Sequence, residues 1–541
     1  MPRFTARSLA LLPLAFLALM LAAPVGRLLI EGFGSGDLEA DQPLRWLALW
    51  QDGYLRWRVG WSVLQAAITC GLALLLGLPV AWVLARREFV GRTLVLRLLM
   101  LPFVVPTLVA AMGVLALWGP RGWLGAPLAA AGWGLDDTPW LLLYGNLFFN
   151  LCLVVRAGVD ALEQVSAPRL AAARTLGATP WRSFWRVEWP AIAPWLASAL
   201  CLVFLYCFSG FGLALILGGQ RYATVEVEIY TLVAHELELG QAGVLAVWMM
   251  LLTGGVALAY AWLEKRLAAP GRVSPVARQR PVGWAQWLAV WAAVGVLLLV
   301  CAAPLLAIFA QAARALLMGS GSDILAEPAT LAAVWNTLRF SLMALALATG
   351  LGVAHALAVR AWDAFGGYDG AALVWRAAAY LPFVVSPVTV AFGLLLLYPS
   401  WTASLALLVS AYALLAYPFV AKSLTAALDN LPASYAQAAA TLGARPCRVL
   451  WRVTLPLVGS ALRRGMAFAA ATALGEFAVS LFLSRPEWTT LTTLIYQRLG
   501  RPGAVNLDAA LVLACVLMLL ALLAFTLIEG PAKTTESAAH A

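Results

Sequence analysis

Few side chains in this sequence of 541 residues are spaced to make or break a bond. His235, His355 and His540 lie far apart, and the seven cysteines show no paired spacing. No cluster has metal-ligand spacing, and no nucleophile sits beside a base. No G-x-x-x-x-G-K-S/T phosphate loop occurs. What the residues can do is recognise. The stretch TLGATPWRSFWRVEWP (175–190) is answered 266 residues later by TLGARPCRVLWRVTLP (441–456). Each sets a glycine, Gly177 or Gly443, ahead of an arginine pair, Arg182 and Arg186 or Arg448 and Arg452.

The elements that must hold these residues follow from local chemistry. An amphipathic helical stretch reaches a stop at Ser166 or Pro432, and a short alanine-rich helix comes next. Gly177 and Gly443 stand where that helix ends, and a left-handed residue closing a helix is usually glycine. A second short helix carries the arginines. Pro190 and Pro456 are expected to open the following apolar helix, since the first turn tolerates proline. Two short helices joined at a glycine form a knob. A single copy would also fit a pair of helices lying on lipid headgroups. Two copies with the same framework are more specific.

Composition says what the knobs are attached to. The chain is 63% hydrophobic and 11% charged, against about 25% charged in soluble domains. Apolar runs of about 20 residues, long enough to cross a bilayer as helices, recur throughout. The fold class is therefore an all-α polytopic membrane protein. Twelve candidate spans can be drawn, at 8–30, 61–85, 94–118, 138–158, 195–217, 241–263, 285–311, 335–359, 374–398, 401–421, 462–483 and 507–528. The first continues past the small residues Ala22–Ala23, as an uncleaved helix would and a signal peptide would not. Basic residues, including Arg86, Arg87, Arg92, Arg97, Arg156, Arg169, Arg174, Lys265 and Arg266, fall on one side of alternating spans. Acidic ones, including Glu31, Asp37, Glu39, Asp41, Asp136, Asp137, Glu226 and Glu228, fall on the other. Basic loops stay in the cytoplasm, so both termini are expected there. The net charge of +10 then reflects topology and implies no nucleic acid.

The repetition is wider than the knobs. LPFVVPTLVAAMGVL (101–115) is echoed by LPFVVSPVTVAFGLL (381–395), and FGLALILGGQRYATVEVEIY (211–230) aligns with FAVSLFLSRPEWTTLTTLIY (477–496). Two six-span halves in the same orientation are expected. The expected division is a first helix and outer loop (1–58), a first repeat (59–263), a basic Pro/Gly linker (264–284), a helix and outer loop (285–334), a second repeat (335–529) and a tail (530–541). Pro102, Pro106, Pro382 and Pro387 lie inside apolar spans, where the freed carbonyls need partners. Their recurrence marks them as candidate pathway residues. Glu476 is the membrane-embedded acid of most interest. Such a carboxylate costs roughly 2.5–3.5 kcal/mol and suggests function by default. The competing reading is that it caps a bend near the outer interface. His355 reads as a packed polar residue.

With these motifs in view, the sequence resembles the permease subunit of a binding-protein-dependent ABC importer of the type I fold. The repeated knob resembles that family's EAA loop. The pattern falls on Ala171, Ala172 and Ala173 through Gly177, and on Gln437, Ala438 and Ala439 through Gly443. The family's glutamate is replaced by Ala171 and by Gln437. Arg182 and Arg448 are the candidate replacement contacts. The resemblance implies two separate ATPase subunits that use ATP, with no cofactor in this chain, and a periplasmic substrate-binding protein. It implies a bacterial inner membrane, lipid contact, and one fused permease chain per transporter.

Within that family the stretches WQDGYLRW (50–57), RREFVGR (86–92), RVEWP (186–190) and LGGQRYATVEVEIY (217–230) look nearest to fused thiamine permeases. Ferric-iron permeases share the Gly-acidic-Phe turn seen at Gly475-Glu476-Phe477. A secondary transporter could also have two six-span halves, but would not need paired cytoplasmic knobs. A membrane enzyme would need a reactive cluster that is missing from the sequence.

Overall fold

The computed structural model describes residues 3–33, 49–136, 138–267, 274–319, 322–363, 375–376, 378–379, 381–483 and 485–530. Asp37, Glu39, Asp41, Asp137, His540, part of the linker, much of the 374–398 span's start and nearly all of the tail lie outside the described residues. Among the described residues the protein is helical, with only two isolated bridge pairs.

Nine described helices are long and apolar enough to span a membrane. A further apolar pair, Arg92–Phe103 and Thr107–Trp118, is bent by 108° at its break, as a broken span or a re-entrant loop would be. Pro102 and Pro106 sit at that break, where a missing backbone donor bends a helix. The expected 462–483 span is also interrupted. Its helix ends at Leu474 and a short one, Ala478–Leu483, follows. Of 374–398, the apolar helix Pro387–Leu397 is described. The Ser386 side chain accepts the Thr389 N–H at 3.1 Å and caps its start.

Chain contacts divide the protein into two units. One comprises 1–30, 104–106 and 319–541, and the other 31–103 and 107–318. In the first, helix 3–33 packs on helix Pro328–Asp363. A Cβ placed on Gly393 would lie 2.8 Å from the Pro24 carbonyl oxygen. In the second, helix 284–317 packs on helix Thr107–Trp118. A Cβ on Gly113 would lie 2.9 Å from the Pro304 carbonyl oxygen. Gly113 and Gly393 are matched residues of the LPFVV repeats, and Pro24 and Pro304 are separated by the same 280 residues. The repeat therefore includes each half's opening helix, which motif matching alone leaves without a counterpart.

Prolines also explain four widened turns. Ala18–Ala22, Phe184–Glu188, Leu298–Ala302 and Leu450–Thr454 are π turns, each ending two residues before Pro24, Pro190, Pro304 or Pro456. Proline has no N–H for the carbonyl one turn back, and a π turn absorbs the mismatch without ending the helix. The arginine-bearing segments are thus not separate short helices. They run unbroken into the apolar helices, as 180–208 and 446–474.

Candidate functional site

The two repeated loops fold alike. Helix Ala167–Thr175 closes at Gly177, with φ 78°. Helix Ala433–Thr441 closes at Gly443, with φ 79°. In the first, Ala178 N–H donates to the Ala173 carbonyl at 3.0 Å and Gly177 N–H to Arg174 at 3.0 Å. In the second, Ala444 N–H donates to Ala439 at 3.1 Å and Gly443 N–H to Ala440 at 2.9 Å. These are paired Schellman closures, which satisfy the last carbonyls of a helix. Thr175 and Thr441 add the same side-chain bond, 2.8 Å to the carbonyls of Ala172 and Ala438. Nothing lies within 4 Å of a Cβ built on either glycine. Glycine is favoured there by backbone conformation and not by crowding.

Ala171, Ala172, Gly177 and Arg182 are exposed, as are Gln437, Ala438, Gly443 and Arg448. The first four belong to one unit and the last four to the other. The apolar tips went unread in the sequence. Leu176 is 88% exposed and Leu442 87%. The signal was available, since both leucines directly precede the closing glycine. The loops differ beyond the glycine. Trp181, Trp185 and Trp189 pack in succession at 5.5 and 5.4 Å, whereas Cys447, Trp451 and Leu455 stand at the matching positions. Glu188 forms a buried ion pair with Arg86 at 2.6 Å; Thr454 takes its place in the second loop.

The end of the central linker lies against the first loop. Ala167 N–H donates to the Ser274 carbonyl at 3.0 Å, and Ser166 and Pro275 form an antiparallel bridge. Gln279 N–H donates to the Arg86 carbonyl, and Glu88 N–H to the Gln279 carbonyl, both at 3.0 Å. Arg278 reaches Glu163 at 2.8 Å and Glu88 at 3.6 Å.

Glu476 is buried. Its Oε1 accepts the Val479 N–H at 3.0 Å, capping helix Ala478–Leu483 at the break. Its main-chain carbonyl accepts Thr492 Oγ1 at 3.0 Å and Ser480 Oγ at 3.1 Å, and Ser480 also bonds the Tyr412 hydroxyl. Pro106 is brought to this bend: a Cβ on Gly475 would lie 2.8 Å from Pro106 Cβ. Pro387 is half-buried at the start of a helix that packs on Ala478–Leu483. Pro102 and Pro382 are buried. At the matching bend of the other unit Gly210 replaces Glu476, and amides do the bonding. Asn146 donates to Gln65 at 2.7 Å, and Gln65 to the Cys207 carbonyl at 2.9 Å.

The repeated segments beyond the bends are held alike too. Ser62 Oγ accepts the Val225 N–H at 2.8 Å, and Thr337 Oγ1 accepts the Leu491 N–H at 2.9 Å. His355 is packed as expected, with Nδ1 2.6 Å from the Tyr417 hydroxyl and its ring stacked on Trp375.

Comparison with known proteins gives the same duplication. The family described as binding-protein-dependent transport system inner membrane component matches twice, at residues 73–269 and 370–529. The thiamine transport system permease protein ThiP of Escherichia coli is 29% identical over 497 residues, covering 90% of each chain. ThiP of Haemophilus influenzae is 26% identical over 510 residues, covering 89% of each. The sulfate transport system permease protein CysW of a Synechocystis strain is 35% identical over 162 residues, 29% of this chain and 58% of that one. With two matches that together span more than half its length, the chain belongs to the family of inner membrane components of binding-protein-dependent transport systems.

Proposed function

We propose that this chain is the fused permease of an ABC importer that brings thiamine across the bacterial inner membrane. The observation that carries the cargo is the likeness to proteins named thiamine permeases over nine-tenths of both chains. Both termini and both repeated loops lie in the cytoplasm. Each loop docks in a groove of one of two separate ATPase subunits, as an amphipathic helix lies in a groove. Ala171, Ala172, Gln437 and Ala438 present the docking faces, Gly177 and Gly443 shape them, and Arg182 and Arg448 supply polar contacts in place of the family's glutamate. Leu176 and Leu442 add apolar tips.

A periplasmic binding protein delivers the substrate. ATP is bound and hydrolysed by the partner subunits, whose closure moves the loops. Coupling requires that ATP-bound and free ATPases favour different loop positions. Pro102, Pro106, Pro382, Pro387 and Glu476 shape the path at the broken helices. Ferric iron is the second reading, favoured by the Gly475-Glu476-Phe477 turn. The test is uptake of labelled thiamine and labelled ferric iron, side by side, in cells lacking their own importers and carrying this chain, its binding protein and its ATPase. Thiamine uptake alone is expected; iron uptake alone would overturn the cargo assignment.

A further inference from the structure

We infer that residues 274–280, the end of the segment joining the two halves, are a strap that sets the position of the first loop helix. The inference rests on reading that loop as an ATPase coupler. A helix start leaves its first N–H groups without partners inside the helix. At Ala167–Thr175 the Ser166 side chain does not cap. The linker supplies an acceptor instead, through the Ser274 carbonyl to Ala167 N–H at 3.0 Å. Five residues on, the same segment pairs with the end of helix Gly53–Arg86, through the Gln279 bonds to Arg86 and Glu88. Between them, Arg278 bridges Glu88 and Glu163, the last residue of helix Trp140–Glu163. Glu163 also takes Arg92 at 3.3 Å, while Arg92 Nε donates to the Leu84 carbonyl at 2.7 Å.

One short segment therefore ties two long helices to the start of the loop helix. A push on that helix is passed to helices 53–86 and 140–163 and not absorbed by bending at 164–166. Among the described residues, the second loop has ties of another kind, the Arg376–Asp429 pair at 2.7 Å and the Arg360 bond to the Leu428 carbonyl at 3.1 Å, both side chains of its own half. Arg278 is thus a positioning residue of the first coupler.

The test uses the full transporter, with its ATPase and binding protein, in proteoliposomes. Labelled thiamine moved per ATP hydrolysed is measured together with ATPase retention on purification. Arg278→Ala is expected to lower the ratio about threefold, the factor a partly exposed ion pair is worth, with ATPase retention unchanged. Gln279→Pro, which removes the N–H given to Arg86, is expected to lower it too. Gln279→Ala keeps that N–H and should keep the ratio. Gly443→Asp serves as the reference in the second loop. A wild-type ratio in Arg278→Ala and Gln279→Pro, with Gly443→Asp uncoupled, would overturn the strap and leave the coupling reading standing. A wild-type ratio in all three would overturn both. If Gln279→Pro does not fold, Arg278→Ala decides alone.

Discussion

At the scale of single residues, Gly177 and Gly443 show how much chemistry one position can declare. Both adopt the left-handed conformation at nearly the same φ, 78° and 79°. Their role was legible because each glycine follows an alanine-rich run where a left-handed residue closes a helix. Asp is among the few other residues that tolerate this conformation, and nothing lies within 4 Å of a Cβ at Gly443. Gly443→Asp should therefore fold, at a cost of about 1–2 kcal/mol, while placing an anion at the docking tip. Its protein level should match wild type, and its uptake should fall about tenfold, the equivalent of about 1.4 kcal/mol of lost docking. Normal uptake at equal level would remove this loop from the coupling path. Glu476 was less legible. The sequence left two readings, a costly membrane acid with a function or a cap at a bend, and in the structure its carboxylate caps a helix start. Whether an acid caps or binds depends on the backbone N–H groups around it, which composition does not reveal.

Elements show where hydropathy reading stops. Apolar runs located the spans, but the 108° break at 104–106 and the break at Gly475 lie inside stretches that hydropathy reads as single spans. Hydropathy counts side chains and carries no backbone direction; only the prolines hinted at the first break. The π turns were equally hidden, because a proline that usually starts a helix sits here inside one. The opening helices were counted as spans but not as repeats, since a single proline and a matching glycine are too sparse to align by eye. Their contact is close enough to test. Gly393→Ala would set a methyl against the Pro24 carbonyl at 2.8 Å, an overpacking that costs about 1–3 kcal/mol. Gly350→Ala, in a long helix with nothing within 4 Å, is the control and should gain slightly from helix propensity. Thermal unfolding in detergent measures both. Equal stability in the two variants would mean that the glycine–proline contact is not tight in solution.

For the whole molecule, duplication was the most legible feature, because the matched stretches keep the same order in both halves. The two family matches agree with it. The contact units were not legible: helix 3–33 packs with residues 328–363, far away in sequence, and that pairing leaves no local pattern. The linker was read as a basic connector. Its pairing with Arg86, Glu88 and Ala167 uses main-chain groups that any sequence could offer. On the proposed function, a single chain supplies both coupling loops, and everything said of the transporter depends on that. Its native mass, purified in detergent with its ATPase, reports the composition directly. One permease chain with two ATPase subunits is the expected composition. Two permease chains per complex, or a permease that retains no ATPase, would contradict it.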